Sequence, residues 1–179
     1  MTALTRNPTN PNPLHPNKFI LSFGRLPNMQ YFCQNVDLPG ISLSEIPVPN
    51  PFVELYSPGE KAIYDLLNVT FTVDENLESW REIHNWIRAM TFPKEFEEYA
   101  KLGTLTRNVS FSTTKQPQFS DATLILLSSS FKPTLKILFH DVFPTSLSSV
   151  TLSASDTPEN ILSSDATFRY TYYDIEVVT

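Results

Sequence analysis

The chain is poor in the residues that usually announce chemistry. It holds one cysteine, Cys33, in 179 residues, which excludes an internal disulfide framework and fits a reducing compartment. With four glycines there is little from which to build a phosphate-cradling loop, and no GxSxG, P-loop or GxGxxG pattern occurs. The three histidines, His15, His84 and His140, stand far apart, and no pair shows HxH or HExxH spacing. No window approaches the ~18 apolar residues of a membrane span, and the opening "MTALTRNPTNPNPLHPN" lacks the apolar core of an export signal. The expectation is a protein with no cofactor, no metal, no membrane partner and no catalytic step.

Positive charge is also short. Thirteen Lys and Arg against nineteen Asp and Glu leave a formal charge of −6. A nucleic-acid clamp needs the opposite balance, because affinity comes from basic groups displacing counterions. A surface past which nucleic acid slides without sticking remains compatible with it. "His140-Asp141" and the acidic run Glu95, Glu97, Glu98 read more simply as a solvent or subunit contact and a solvated helix face. Asn68 and Asn108 begin glycosylation-type triplets that carry no weight in a chain read as unexported.

What the chain has instead is aromatic residues and proline: 13 Phe, 7 Tyr and 15 Pro. Broad rings suit a pleated surface, and Pro with Asn, Asp and Ser gives stiff turns. Residues 1–17 read as a flexible Asn/Pro-rich arm, and 18–179 as one domain. In "KFILSF" Phe19, Leu21 and Phe23 alternate onto one face, and "QYFCQNV" reads as a second strand after the turn "RLPNM". That reading makes Cys33 a small buried apolar residue rather than a nucleophile. "LNVTFTV" puts Val69, Phe71 and Val73 on one side. "DENLESWREIHNWIRAM" predicts a helix over 76–90, capped by Asn76, with Leu77, Trp80, Ile83, Ile87 and Met90 on its apolar stripe and Trp86 at the stripe's border. Trp80, Ile83 and Ile87 are its expected anchors. Residues 92–103 suggest a short second helix. "ATLILL", "TLKILFHDVF" and "SSDATFRYTYYDIEVV" supply further strands; the last changes parity between Tyr172 and Tyr173, through a bulge or because both faces are covered. Together these predict a mainly β fold: a β-sandwich or partly closed barrel with one flanking α-helix.

One stretch fits neither core. "VPNPFVELYSPGEKAIYDLL", residues 48–67, is too rich in proline for a helix or a central strand. It is also too apolar, through Phe52, Val53, Leu55 and Tyr56, for a disordered linker. Either it folds back on its own domain or its core lies elsewhere.

The order "NKFILSF", "FCQNVDLPG", the proline-rich stretch, "LLNVTFTVDENLESWREIHNWI", "FHDVFPTSLSSVTLS" and "ATFRYTYYDIEVV" resembles the tail tube proteins of contractile-tailed phages, relatives in fold of type VI secretion and phage-like injection tubes. The resemblance spans about 17–92 and 122–178, with a strand breaking at Pro144. It implies a virion structural subunit, assembled in the host cytoplasm into stacked hexameric rings around a DNA conduit, meeting tail sheath and baseplate proteins. It implies that 41–66 is a protruding β-hairpin that places Pro47, Pro49, Phe52, Val53, Leu55 and Tyr56 on sibling subunits. Asp141, Asp165, Asp174 and Glu176 are then candidates for an acidic channel lining that repels phosphate. A tube-initiating or baseplate-hub ring would share the fold. A glycan- or protein-binding adhesion sandwich, using an exposed Trp86, is the reading from another class.

Overall fold

The computed structural model describes residues 12–91, 118–153 and 161–178. The second helix expected at 92–103 and most of the N-terminal arm lie outside them. Among the described residues the order is β1 (Phe19–Phe23), α1 (Pro27–Tyr31), β2 (Cys33–Val36), β3 (Ile41–Val48), β4 (Leu55–Tyr64), β5 (Leu67–Thr72), α2 (Glu78–Thr91), β6 (Ser120–Leu127), β7 (Pro133–Leu147), β8 (Ser163–Arg169) and β9 (Tyr172–Val177). Seven strands form one antiparallel sheet in the order β1-β6-β7-β8-β5-β2, with β9 also on β7; β3 and β4 pair only with each other. The fold is mainly β, as the alternating segments predict, and the barrel is not closed.

A long bent ribbon organises the sheet. β7 runs against β8 at one end (Phe143 opposite Arg169) and against β9 at the other (His140 opposite Tyr172). The first end continues through β8 to β5 and β2, the second through β7 to β6 and β1. At the corner both strands change which parity faces the core. On β7 the buried residues pass from Ile137 and Phe139 to Val142 and Pro144, and on the partner from Phe168 and Tyr170 to the half-buried Tyr173. Asp141 takes up the turn with φ 56°, a left-handed conformation that Asp tolerates better than most side chains. Because both strands make the same adjustment, their pairing stays in step. The parity change read in the final segment is therefore a division into two strands at one corner.

Pro144 does not end its strand. β7 continues to Leu147, with a register shift between Pro144 and Ser146. "RLPNM" is likewise more than a turn. Pro27 opens a short helix, where a missing N–H costs nothing, and the strand begins only at Cys33. Cys33 is half-buried there, and burial raises its thiol to about 11.

The helix starts later and faces differently than its periodicity suggests. Asn76 does not cap it. Asp74 accepts hydrogen bonds from the backbone N–H of Glu78 (2.9 Å) and Ser79 (2.8 Å) and from Ser79 Oγ (2.6 Å). Leu77, at φ 56°, lies before the first turn and is exposed. The buried side is Ser79, Ile83, Trp86 and Ala89. Trp86, not Trp80, fills the core at 3% exposure, near Phe168 and under the Arg25 guanidinium. Trp80 and Ile87 are half-buried at its margin, and Trp80 stacks on His84 while its Nε1–H donates to the Ser148 carbonyl. A glycan platform on Trp86 is excluded by this burial. Glu82 joins the helices: it accepts from Asn28 and Met29 backbone N–H groups and from Asn28 Nδ2.

Candidate assembly surface

β3 and β4 form a ribbon nearly all of whose residues are exposed. Their partners are Ile41 with Tyr64 through Leu43 with Ala62, and then Glu45 with Pro58 through Val48 with Leu55. Between the two registers Ser44 faces the three residues 59–61, a bulge on β4. Gly59 is required there: a Cβ would stand 2.5 Å from the Ser44 carbonyl oxygen. Directly opposite residues share a face. Ile46, Val48 and Leu55 therefore lie on one side beyond the bulge, and Pro47, Tyr56 and Pro58 on the other. At the tip Phe52 N–H donates to Asn50 Oδ1 (3.0 Å), a local turn that lifts the Phe52 ring into solvent at 94% exposure. Pro47, Pro49, Pro51 and Leu55 contribute to an open groove of about 700 Å³ at this end. The Tyr56 hydroxyl donates to Glu54 (2.7 Å).

So the four apolar residues singled out in the sequence do not share one patch. Leu55 and Tyr56 point to opposite faces, Phe52 and Val53 occupy the tip, and all four are exposed. Sequence reading missed Ile41, Leu43, Ile46, Val48 and Ile63, which are exposed on the same ribbon. Their alternation resembles that of a half-buried strand, and only the proline spacing hinted otherwise.

The ribbon is fastened at its base. Tyr64 packs edge-on against Tyr170 (5.9 Å) and Tyr173 (5.5 Å), and Phe139 supports Tyr170 from below (5.1 Å). Tyr173 O–H donates to the Pro39 carbonyl, and Asp65 N–H to that of Gly40. Burial, with Tyr173, Asp65 and Tyr64 nearby, pushes the Tyr170 phenol up to about 12.

The four acidic candidates separate. Asp174 and Glu176 share the outer face of β9, opposite Leu138 and Lys136, and Asp174 meets His140 Nε2 at 3.2 Å. His140 in turn stacks on Tyr172 (4.5 Å). Asp165 lies on β8 in the main sheet, opposite Thr70 of β5, and accepts from Thr70 Oγ1 (2.7 Å). Asp141 sits at the corner beside Thr171. Among the described residues no three His, Cys, Asp or Glu side chains gather as metal ligands.

Comparison with known proteins gives this surface a context. A family model described as "Phage tail tube protein" matches residues 17–176. The tail tube terminator protein of Enterobacteria phage T4 is 29% identical over 147 residues, covering 80% of this chain and 76% of its own. Two solved structures share the fold. The tube-terminating cap of the anti-feeding prophage has TM-score 0.57 and 15% identity, covering 99% of this chain and 100% of its own. A chain from the sheath/tube terminator of the PVC extracellular contractile injection system has TM-score 0.57 and 17% identity, with coverage of 92% and 97%.

Proposed function

The chain belongs to the phage tail tube protein family, and from that premise we propose that it is a ring-forming structural subunit of a contractile tail. Copies assemble into hexameric rings, and the rings adjoin the tube, sheath or baseplate around a passage for DNA. The observation that carries this reading is the β3–β4 ribbon. Apolar groups stand on both of its faces and at its tip, and among the described residues it pairs with no strand of the body. Burying such side chains stabilises by ~25 cal/mol per Å² of apolar area, before ordering and association costs are subtracted. A large exposed apolar surface of this kind marks a contact site. Pro47 and Pro58 within the strands, with Pro49 and Pro51 at the tip, limit its freedom before docking and discourage indiscriminate pairing along its edges.

The T4 relative supports a terminal place in the tail. Similarity to a tube terminator over four-fifths of the chain favours a ring at the tube's end over a subunit repeated along it. Asp174 and Glu176, on one face of β9, are the acidic pair best suited to a lumen that repels phosphate. Negative-stain images of the concentrated protein should show rings with a central hole; a solitary monomer at high concentration overturns the reading. In purified particles the terminal assignment predicts one or two rings per tail, whereas labelling all along the tube returns the chain to the repeating-subunit role.

A further inference from the structure

Three strands of the body have a free edge among the described residues: β1, β2 and β9. At β1 the core-facing side chains Leu21 and Phe23 are buried and Phe19 is packed against them. At β2 Cys33 and Val36 are packed on the core as well. β9 differs. Ile175 lies directly opposite Ile137 and Val177 opposite Leu135, so both belong to the core-side face. Ile137 is 1% exposed, yet Ile175 is 57% and Val177 72% exposed. The core layer stops short of the sheet's edge and leaves an apolar shelf beside an unpaired strand.

We infer that this shelf, Leu135, Ile175 and Val177 along the free edge of β9, is the seat for the β3–β4 ribbon of a second copy. The inference rests on the ring-forming reading and names the surface that receives the arm. Two features commit the occupant to a sibling chain. The first is a match of deficits: the same polypeptide carries a strand ribbon with Ile46, Val48 and Leu55 uncovered and a sheet edge with Ile175 and Val177 uncovered. An added strand would supply backbone partners to the edge while its side chains complete the core layer. The second is continuity. Tyr173, one core-side position before Ile175, is where this copy's own arm is fastened through Tyr64. An arm laid along β9 therefore reaches the root of the next arm. Such a contact joins unlike surfaces head to tail, the kind that closes a ring when the rotation permits.

The test uses the full chain with Cys33 replaced by serine. One preparation carries V48C and another V177C. Mixed under oxidising conditions, the two should give a disulfide-linked heterodimer that neither gives alone, and a single chain carrying both should give a ladder of higher species. In parallel, I175D/V177D changes two exposed side chains and should leave the monomer's melting temperature near that of the parent. Its assembly midpoint should move to about thirtyfold higher concentration, the scale of losing one interface hot spot. If I175D/V177D assembles like the parent, the seat is wrong while the ring reading stands. If the parent chain itself never assembles, both fall.

Discussion

At the scale of single residues, the side chains that matter are those whose surroundings depart from their pattern. Asp74 is the clearest. Loss of solvent pushes its carboxyl up, but hydrogen bonds from Ser79 and Glu78 win and hold it at about 2, below an ordinary 3.8. Its folded value is depressed, so its contribution is fully present above pH 4 and is lost as pH falls through about 2. Asp74→Ala should cost about 1 kcal/mol at neutral pH, read by urea unfolding, and should flatten that part of the acid dependence. The tryptophans make a second case. Trp86→Ala should destabilise by about 3–5 kcal/mol, as for a large buried ring. Trp80→Ala, at the margin, should cost clearly less in the same assay, and the reverse order would mean that the packing is assigned wrongly.

Elements show how much of this could be read in advance. β5 was legible because Leu67, Val69 and Phe71 alternate with polar residues and one face meets the core. The helix was legible as a helix, but its facing was not. Five apolar residues lie at helical spacing, and nothing in the sequence says that Leu77 precedes the first turn while Ser79 is buried under Asp74 and the Thr72 carbonyl. Proline spacing set residues 48–67 apart from a helix or a central strand, but the hairpin itself came from the resemblance to tail tube proteins, and the seat proposed for it depends on β9, a distant pairing invisible in local spacing. The corner at Asp141 was hidden too, since a left-handed residue flanked by alternating apolar groups looks like an ordinary strand. Two substitutions probe the ribbon as an element. Gly59→Ala should disorder β3 and β4, seen as faster amide exchange there, with the body's protection unchanged. Tyr64→Ala, which removes the aromatic root, should raise proteolytic nicking near 38–41 and 64–66 by several-fold while the core stays folded.

For the molecule as a whole, a self-contained body and an outlying arm predict a separation of properties. The body's core is built from β1, β5 to β8, both helices, Leu26 and Tyr170, with no buried residue from the ribbon. Deleting 45–62 should therefore leave a cooperatively folding monomer with a melting temperature close to the parent's, but no rings at any attainable concentration. Polymerisation that survives the deletion would show that subunits meet through other surfaces. The bent β7 ribbon has a different consequence, a mechanical one. The two halves of the sheet are not separate layers held by grease alone, since the same two backbones run unbroken through each. A pull on β1 would pass to β2 through the β6, β7, β8 and β5 ladders and cross the corner on covalent chain, so a stretched molecule should give way in one event rather than shed its halves in turn. In the ring proposed for this chain, that makes the subunit a tie-bar instead of a laminate.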